Sequence, residues 1–266
     1  MGNTTNISRF EFAATKPWLL NENVTVGKQN IPVAAFSVRA GLMSFFNVFI
    51  QRGFNFNLLD EFRNTPLHYA AEKKHDYVTA LLHHGLSPTR YNLKGQTPLM
   101  IAVRNGQYQH VKALAEAMFI RDNDCNAPIH YAIETNDVKM VQLLLKYTPD
   151  IPSTWIFTDC SSTEYHIHRL MNNASMSALC MAVLKLKYEA VECLMSFGAD
   201  PNLVYKNVSA KSILAKMGTK NMYGDIFYSK HCTKEEIARM WGILTRDVDV
   251  NRNIGSGLRT SLLNHT

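Results

Sequence analysis

The fold class this sequence predicts is an all-α solenoid, a row of stacked helix-turn-helix units joined by short hairpin loops. Three observations predict it. A seven-residue motif recurs at a nearly fixed period, an apolar helical pattern follows the copies, and a glycine or polar turn closes the units. Repetition at a period between 20 and 50 residues outranks any local reading of helix or strand, because each unit is too small to bury its own apolar face and must stack on a neighbour.

The motif reads Thr65-Pro66-Leu67-His68-Tyr69-Ala70-Ala71, then Thr97-Pro98-Leu99-Met100-Ile101-Ala102-Val103, then Ala127-Pro128-Ile129-His130-Tyr131-Ala132-Ile133, at steps of 32 and 30 residues. A fourth copy, Ser177-Ala178-Leu179-Cys180-Met181-Ala182-Val183, follows after 50. Upstream, Pro32-Val33-Ala34-Ala35-Phe36-Ser37-Val38 lies 33 residues before Thr65 and is recognised by register rather than identity.

Each position has a physical reason. Proline at the first helical position has no amide proton to leave unpaired, and the Thr or Ser before it can cap the helix. Small alanines let neighbouring first helices approach closely. Val78, Leu81 and Leu82, and again Val141, Leu144 and Leu145, fall at spacings that make one apolar face on a second helix. Gly85 and Gly198 stand where such helices stop, a position that favours a left-handed backbone.

The motif resembles the ankyrin T-P-L-H-x-A-A, and Ala190-Val191-Glu192-Cys193-Leu194-Met195-Ser196-Phe197-Gly198-Ala199-Asp200-Pro201-Asn202 resembles the family's closing V-V-x-L-L-x-x-G-A-D-x-N. The resemblance implies an ankyrin-repeat solenoid. It divides the chain into an N-terminal segment 1–31, repeats over 32–150 (about 32–64, 65–96, 97–126 and 127–150), and a repeat at 177–210. A degenerate repeat over 211–251 and the start of another over 252–266 complete it. Within the degenerate unit, Ser212 to Met217 reads as a first helix, and Thr233-Lys234-Glu235-Glu236 is a capping box opening a second. The chain stops inside a further motif, Thr260-Ser261-Leu262-Leu263, so a longer natural polypeptide is expected.

The extra length at 151–176 is the most individual feature. Trp155-Ile156-Phe157-Thr158 and Tyr165-His166-Ile167-His168-Arg169 flank a polar stretch, which suggests an inserted β-hairpin after the third regular repeat. Either it contacts a partner or it is a tolerated insertion folded against the stack.

Composition narrows the function classes. No apolar run approaches the roughly 20 residues of a membrane-spanning helix, and the N-terminus lacks the pattern of a secretory signal. A cytoplasmic compartment is the default expectation, with the host-cell cytoplasm or nucleus as the destination for a delivered effector. Five scattered cysteines fit reduced thiols rather than a disulfide framework. The net charge of +6 is largely C-terminal and dispersed, so nucleic-acid binding is not expected. The protein is expected to be a monomer.

In the ankyrin family, partners dock on the concave face of the first helices and on the hairpin tips. Carried over by position, the variable fifth residue of each motif is Phe36, Tyr69, Ile101, Tyr131 and Met181, all apolar or aromatic. Either they form a row of binding hot spots, or neighbouring side chains and the N-terminal segment cover some of them. Tips are expected at 60–64, 91–95, 121–126 and 204–208, with Phe62 and Tyr91 as contact candidates. Trp155, Phe157, Tyr165, His166 and His168 are the candidates in the insertion.

Chemistry finds little support. Cys160, His166 and His168 supply three groups where structural zinc takes four in paired spacings, and no orienting partner marks a cysteine nucleophile. His68 and His130 resemble the family's structural histidine, which ties one unit to the next. No phosphate-binding glycine loop, HExxH helix or GxSxG elbow occurs, and no cofactor is expected. Asn202 stands at a spacing similar to the asparagines that ankyrin proteins present to a hydroxylase, with Pro201 departing from the usual aliphatic residue.

Two functional readings follow. The first is an interaction module that binds a protein, expected to be a host protein. Abundant asparagine, 22 residues, and divergent repeats resemble the ankyrin effectors of intracellular bacteria, a bias that protozoan and viral ankyrin proteins share. The second is the recognition arm of an effector enzyme, cysteine-protease-like or a transferase, whose catalytic domain lies beyond residue 266.

Overall fold

The structure, a computed structural model, describes residues 23–26, 29–53, 56–74, 76–147, 176–204, 207–217 and 233–246. Two compact units are present, residues 1–123 and 124–266.

In the first unit a two-stranded antiparallel ribbon, β1 (Asn23–Val26) and β2 (Gln29–Pro32), pairs Val24 with Ile31 and Thr25 with Asn30. Sequence reasoning had left this segment without a structure. β2 runs straight into α1 (Val33–Arg39), which turns through Gly41 into α2 (Met43–Gln51). Two further pairs follow. They are α3 (Pro66–Ala71) with α4 (Tyr77–His83), and α5 (Pro98–Arg104) with α6 (Tyr108–Val111), the last continued by a 3₁₀ turn over Ala115–Ala117. First helices stack on first helices, α1 on α3 and α3 on α5, while each second helix packs on its own first.

The second unit repeats the arrangement with α7 (Pro128–Glu134) and α8 (Val138–Lys146), α9 (Ala178–Leu184) and α10 (Tyr188–Ser196), and α11 (Ala210–Met217) and α12 (Lys234–Leu244). α9 stacks on both α7 and α11, and α10 on both α8 and α12. The 50-residue step between the third and fourth motifs therefore leaves stacking intact, because the added residues leave and rejoin the chain between a second helix and the next first helix. The expected hairpin at 151–176 falls almost entirely outside the described residues.

The third motif position, Leu67, Leu99, Ile129 and Leu179, is buried in every copy, as are the alanines three residues on. The helix starts share one device, varied in chemistry. Thr97 Oγ1 accepts from Met100 N–H at 3.5 Å and Ser177 Oγ from Cys180 N–H at 3.2 Å. Ser209 and Ser212 cap each other reciprocally, at 2.8 and 3.1 Å. That places the start of α11 at Ala210, two residues before Ser212 and 32 after Ala178. Thr233 and Glu236 form the reciprocal pair that starts α12.

His68 does more than cap. Thr65 N–H donates to its Nδ1 at 3.1 Å, so that nitrogen is the acceptor and Nε2 carries the proton, which it donates to the Gln96 carbonyl at 3.0 Å. One neutral imidazole thus starts its own helix and holds the turn that precedes the next. Burial pushes its pKa down to about 4, against the opposing pull of the Gln96 carbonyl and the nearby Asp60 carboxylate.

Candidate functional site

The hairpin tips of the first unit are built on an Asp or Asn at one register position. Asp60 Oδ1 accepts from the backbone N–H of Phe62 at 2.9 Å and of Asn64 at 2.7 Å. Asn92, 32 residues on, uses its Oδ1 in the same way for Lys94 and Gln96, at 2.9 and 3.0 Å. Short polar side chains that mimic a backbone turn explain why this position takes only Asp or Asn. The fourth residue of each tip has a left-handed backbone, Arg63 at φ 61° and Gly95 at φ 74°.

Successive tips are joined side by side. Leu93 N–H donates to the Phe62 carbonyl at 2.9 Å, and Asn92 Nδ2 to Asn64 Oδ1 at 3.0 Å. Asn123 N–H reaches the Lys94 carbonyl at 3.1 Å and its Nδ2 the Leu93 carbonyl at 2.8 Å. Backbone polar groups are thereby spent on neighbouring tips, which leaves the side chains to face outward.

Four of those side chains are large and apolar. Leu59 is 38% exposed, Phe62 43%, Tyr91 55% and Leu93 54%. Phe62 and Leu93 adjoin through their backbone bond, while Leu59 and Tyr91 stand immediately before Asp60 and Asn92 at equivalent positions of adjacent tips. Sequence reasoning named Phe62 and Tyr91 and missed Leu59 and Leu93. The signal was available, since Leu59 and Leu93 stand directly beside the tip residues Asp60 and Asn92.

The inner row divides. Phe36 and Ile101 are half-buried, whereas Tyr69, Tyr131 and Met181 keep only 8%, 6% and 8% of their surface. These three are buried. Tyr69 points its hydroxyl at Asp60 Oδ2, 2.5 Å away, and carries the Arg39 guanidinium 5.6 Å over its ring, while Arg39 in turn donates to Gln29 Oε1 at 2.7 Å. Burial, and then the Asp60 carboxylate, push the Tyr69 phenol above its ordinary range. Its side chain is therefore committed to α1 and the first tip, with little left to offer a partner.

Trp155, Phe157, Tyr165, His166 and His168 lie outside the described residues, as does Cys160. Among the described residues no three His, Cys, Asp or Glu side chains converge as a metal site, and no helix is long and apolar enough to cross a membrane. Asn202 is exposed in the turn after α10, its backbone N–H held by Asp200 Oδ1 at 2.8 Å.

Helix pairs stacked in register and joined by linked hairpin tips define the class as a helical repeat scaffold. A family model described as ankyrin repeats, in three copies, matches residues 33–124 and 88–155, and the matched stretch consists of ankyrin repeats. Ankyrin repeats are protein-interaction modules without catalytic groups of their own. The E3 ubiquitin-protein ligase XBAT32 of Arabidopsis thaliana is 30% identical over 153 residues, 52% of this chain and 30% of that protein. The transient receptor potential cation channel subfamily A member 1 of Homo sapiens is 36% identical over 93 residues, 33% of this chain and 8% of the channel. The ankyrin repeat protein FPV024 of fowlpox virus is 33% identical over 97 residues, 34% of this chain and 16% of that protein. The chain spans about a third of the length of the first curated relatives it matches.

Proposed function

We propose that the chain is a module that grips a protein partner, with the linked hairpin tips of the first unit as its main contact surface. The observation that carries this reading is the exposure of Leu59, Phe62, Tyr91 and Leu93 on two tips fastened to each other. Apolar side chains held at the surface by a rigid backbone enter an interface with little ordering cost, and aromatic anchors supply most of its energy. Phe36 and Ile101 extend the surface along the first helices. The 151–176 insertion, through Trp155, Phe157, Tyr165, His166 and His168, is a second contact site.

The partner is a host protein and the module works as a monomer in the host cytoplasm or nucleus. What supports that finer reading is the abundant asparagine and the divergence of the repeats, which resemble delivered effectors. Affinity capture from a host lysate tests it, using the full chain, Phe62→Ala/Tyr91→Ala, Phe36→Ala/Ile101→Ala and a deletion of residues 155–168. The tip variant loses the captured protein. Capture unchanged in all three variants rejects every surface named.

A second reading has its own support. XBAT32, named as an E3 ubiquitin-protein ligase, shares a repeat stretch that makes up 30% of its length. By analogy, this chain is the recognition arm of a larger enzyme, and the sequence of the natural product beyond residue 266 decides between the two.

A further inference from the structure

The tips that hold the four apolar side chains also carry charge. Arg63, Arg90, Lys94 and Arg121 are all exposed, at or directly beside the same tips. Arg63 follows Phe62, Arg90 precedes Tyr91, Lys94 follows Leu93, and Arg121 takes the register position that Leu59 and Tyr91 hold on the other two tips. Among the described residues none of the four is engaged by a carboxylate. Two of the acidic side chains nearby are buried. Asp60 is buried and spends both oxygens on Phe62, Asn64 and Tyr69, and Asp122 is buried in the third tip. Glu61 on the first tip and Asp124 on the third are the exposed acids there.

Resting on the reading of the tips as a contact surface, we infer that they bind an acidic protein segment whose apolar side chains alternate with Asp or Glu. The apolar side chains of that segment cover Leu59, Phe62, Tyr91 and Leu93, and its carboxylates meet the surrounding cations. Complementary charge of this kind steers the encounter and rejects basic partners, while the apolar centre supplies the affinity. A nucleic acid fits less well. Two of the four central side chains are aliphatic and offer no ring for a base to stack on, and Glu61 interrupts a phosphate track.

The test is selection from a random peptide display library against the immobilised full chain, followed by fluorescence anisotropy with the enriched peptides. The expected peptides are richer in Asp and Glu than the input library and poor in Lys and Arg, with spaced Leu, Phe or Trp. Their affinity falls about tenfold on Arg63→Glu/Arg90→Glu/Lys94→Glu/Arg121→Glu, falls with added salt, and is lost in Phe62→Ala/Tyr91→Ala. All six positions are exposed, so circular dichroism of both variants should match the parent. Enriched peptides that are neutral or basic but still need Phe62 and Tyr91 overturn the acidic partner and leave the tip surface standing. Peptides indifferent to Phe62→Ala/Tyr91→Ala overturn the tip surface itself. No enrichment, or tighter binding of single-stranded DNA or anionic vesicles than of any peptide, overturns the inference.

Discussion

The Tyr69 hydroxyl donates to Asp60 Oδ2 at 2.5 Å, and that bond turns a candidate contact residue into part of the frame. Asp60 takes four donors in all, from Phe62 N–H, Asn64 N–H, Asn64 Nδ2 and Tyr69. Tyr69→Phe removes one donor and leaves three, an expected loss of about 1.5–3 kcal/mol for a hydrogen bond to a charged group. Asp60→Ala strands all four donors and should cost about 3 kcal/mol or more. Urea unfolding followed by circular dichroism measures both. A Tyr69→Phe variant as stable as the parent would show that the hydroxyl is not needed to hold the first tip.

His68 gives the fold a definite pH response. The folded imidazole stays neutral down to about pH 4, while in the unfolded chain it takes up a proton near 6.5. Between those values the unfolded state binds a proton that the folded state refuses, so acid favours unfolding. The contribution is complete above 6.5, erodes as the pH falls, and is gone near 4. Its size is on the order of 3 kcal/mol. His68→Met, which places there the residue that Met100 supplies in the following unit, should flatten the slope between those pH values. A variant whose stability falls with acid as steeply as the parent's assigns the response elsewhere.

The repeat period and the buried positions were legible in the sequence because stacking makes every copy solve the same problem. Leu67, Leu99, Ile129 and Leu179 could be placed by register alone. Which fifth-position residues stay exposed was not legible, because that depends on neighbours distant in sequence. Tyr69 is covered through Asp60 nine residues earlier and Arg39 thirty residues earlier, and no local pattern announces either contact. Leu93 shows the converse. It looks like one more core leucine until the tip bonds, Leu93 N–H to Phe62 and Asn123 Nδ2 to Leu93, fix its backbone at the edge. The start of α11 at Ala210 was missed because Ser209 lacks the Thr-Pro signature, though its step of 32 from Ser177 carried the signal.

Thiol reactivity separates the cysteines by depth. Cys180 and Cys193 are buried free thiols. Burial raises the Cys180 thiol pKa against the pull of Ser177, and pushes that of Cys193 up to about 11. Cys125 is half-buried in the third tip. In a Cys160→Ser/Cys232→Ser background, an aromatic disulfide reagent at about pH 8 should label one thiol quickly and the other two only as the protein unfolds. Three thiols reacting at one rate in the folded protein would contradict the burial of α9 and α10.

Gly95 is a position where one methyl group should cost more than the left-handed backbone alone. Its φ of 74° lies in the left-handed region, yet Arg63 at 61° and Cys125 at 58° keep side chains at the equivalent place, so conformation alone does not demand glycine. What differs is the neighbour. A Cβ on Gly95 would stand 2.6 Å from the backbone nitrogen of Asn123 and 2.9 Å from the carbonyl carbon of Asp122. Backbone cannot swing aside as a flexible side chain can, and moving it breaks the bonds from Asn123 to Lys94 and Leu93 that join the second tip to the third. Gly85 is the control, with φ 80° and no atom within 4 Å of an added Cβ. Gly85→Ala should cost about 1 kcal/mol, the ordinary left-handed penalty, and Gly95→Ala about 2 kcal/mol beyond it. Urea midpoints of the two variants decide the matter, and equal losses would mean that the tips are free to separate.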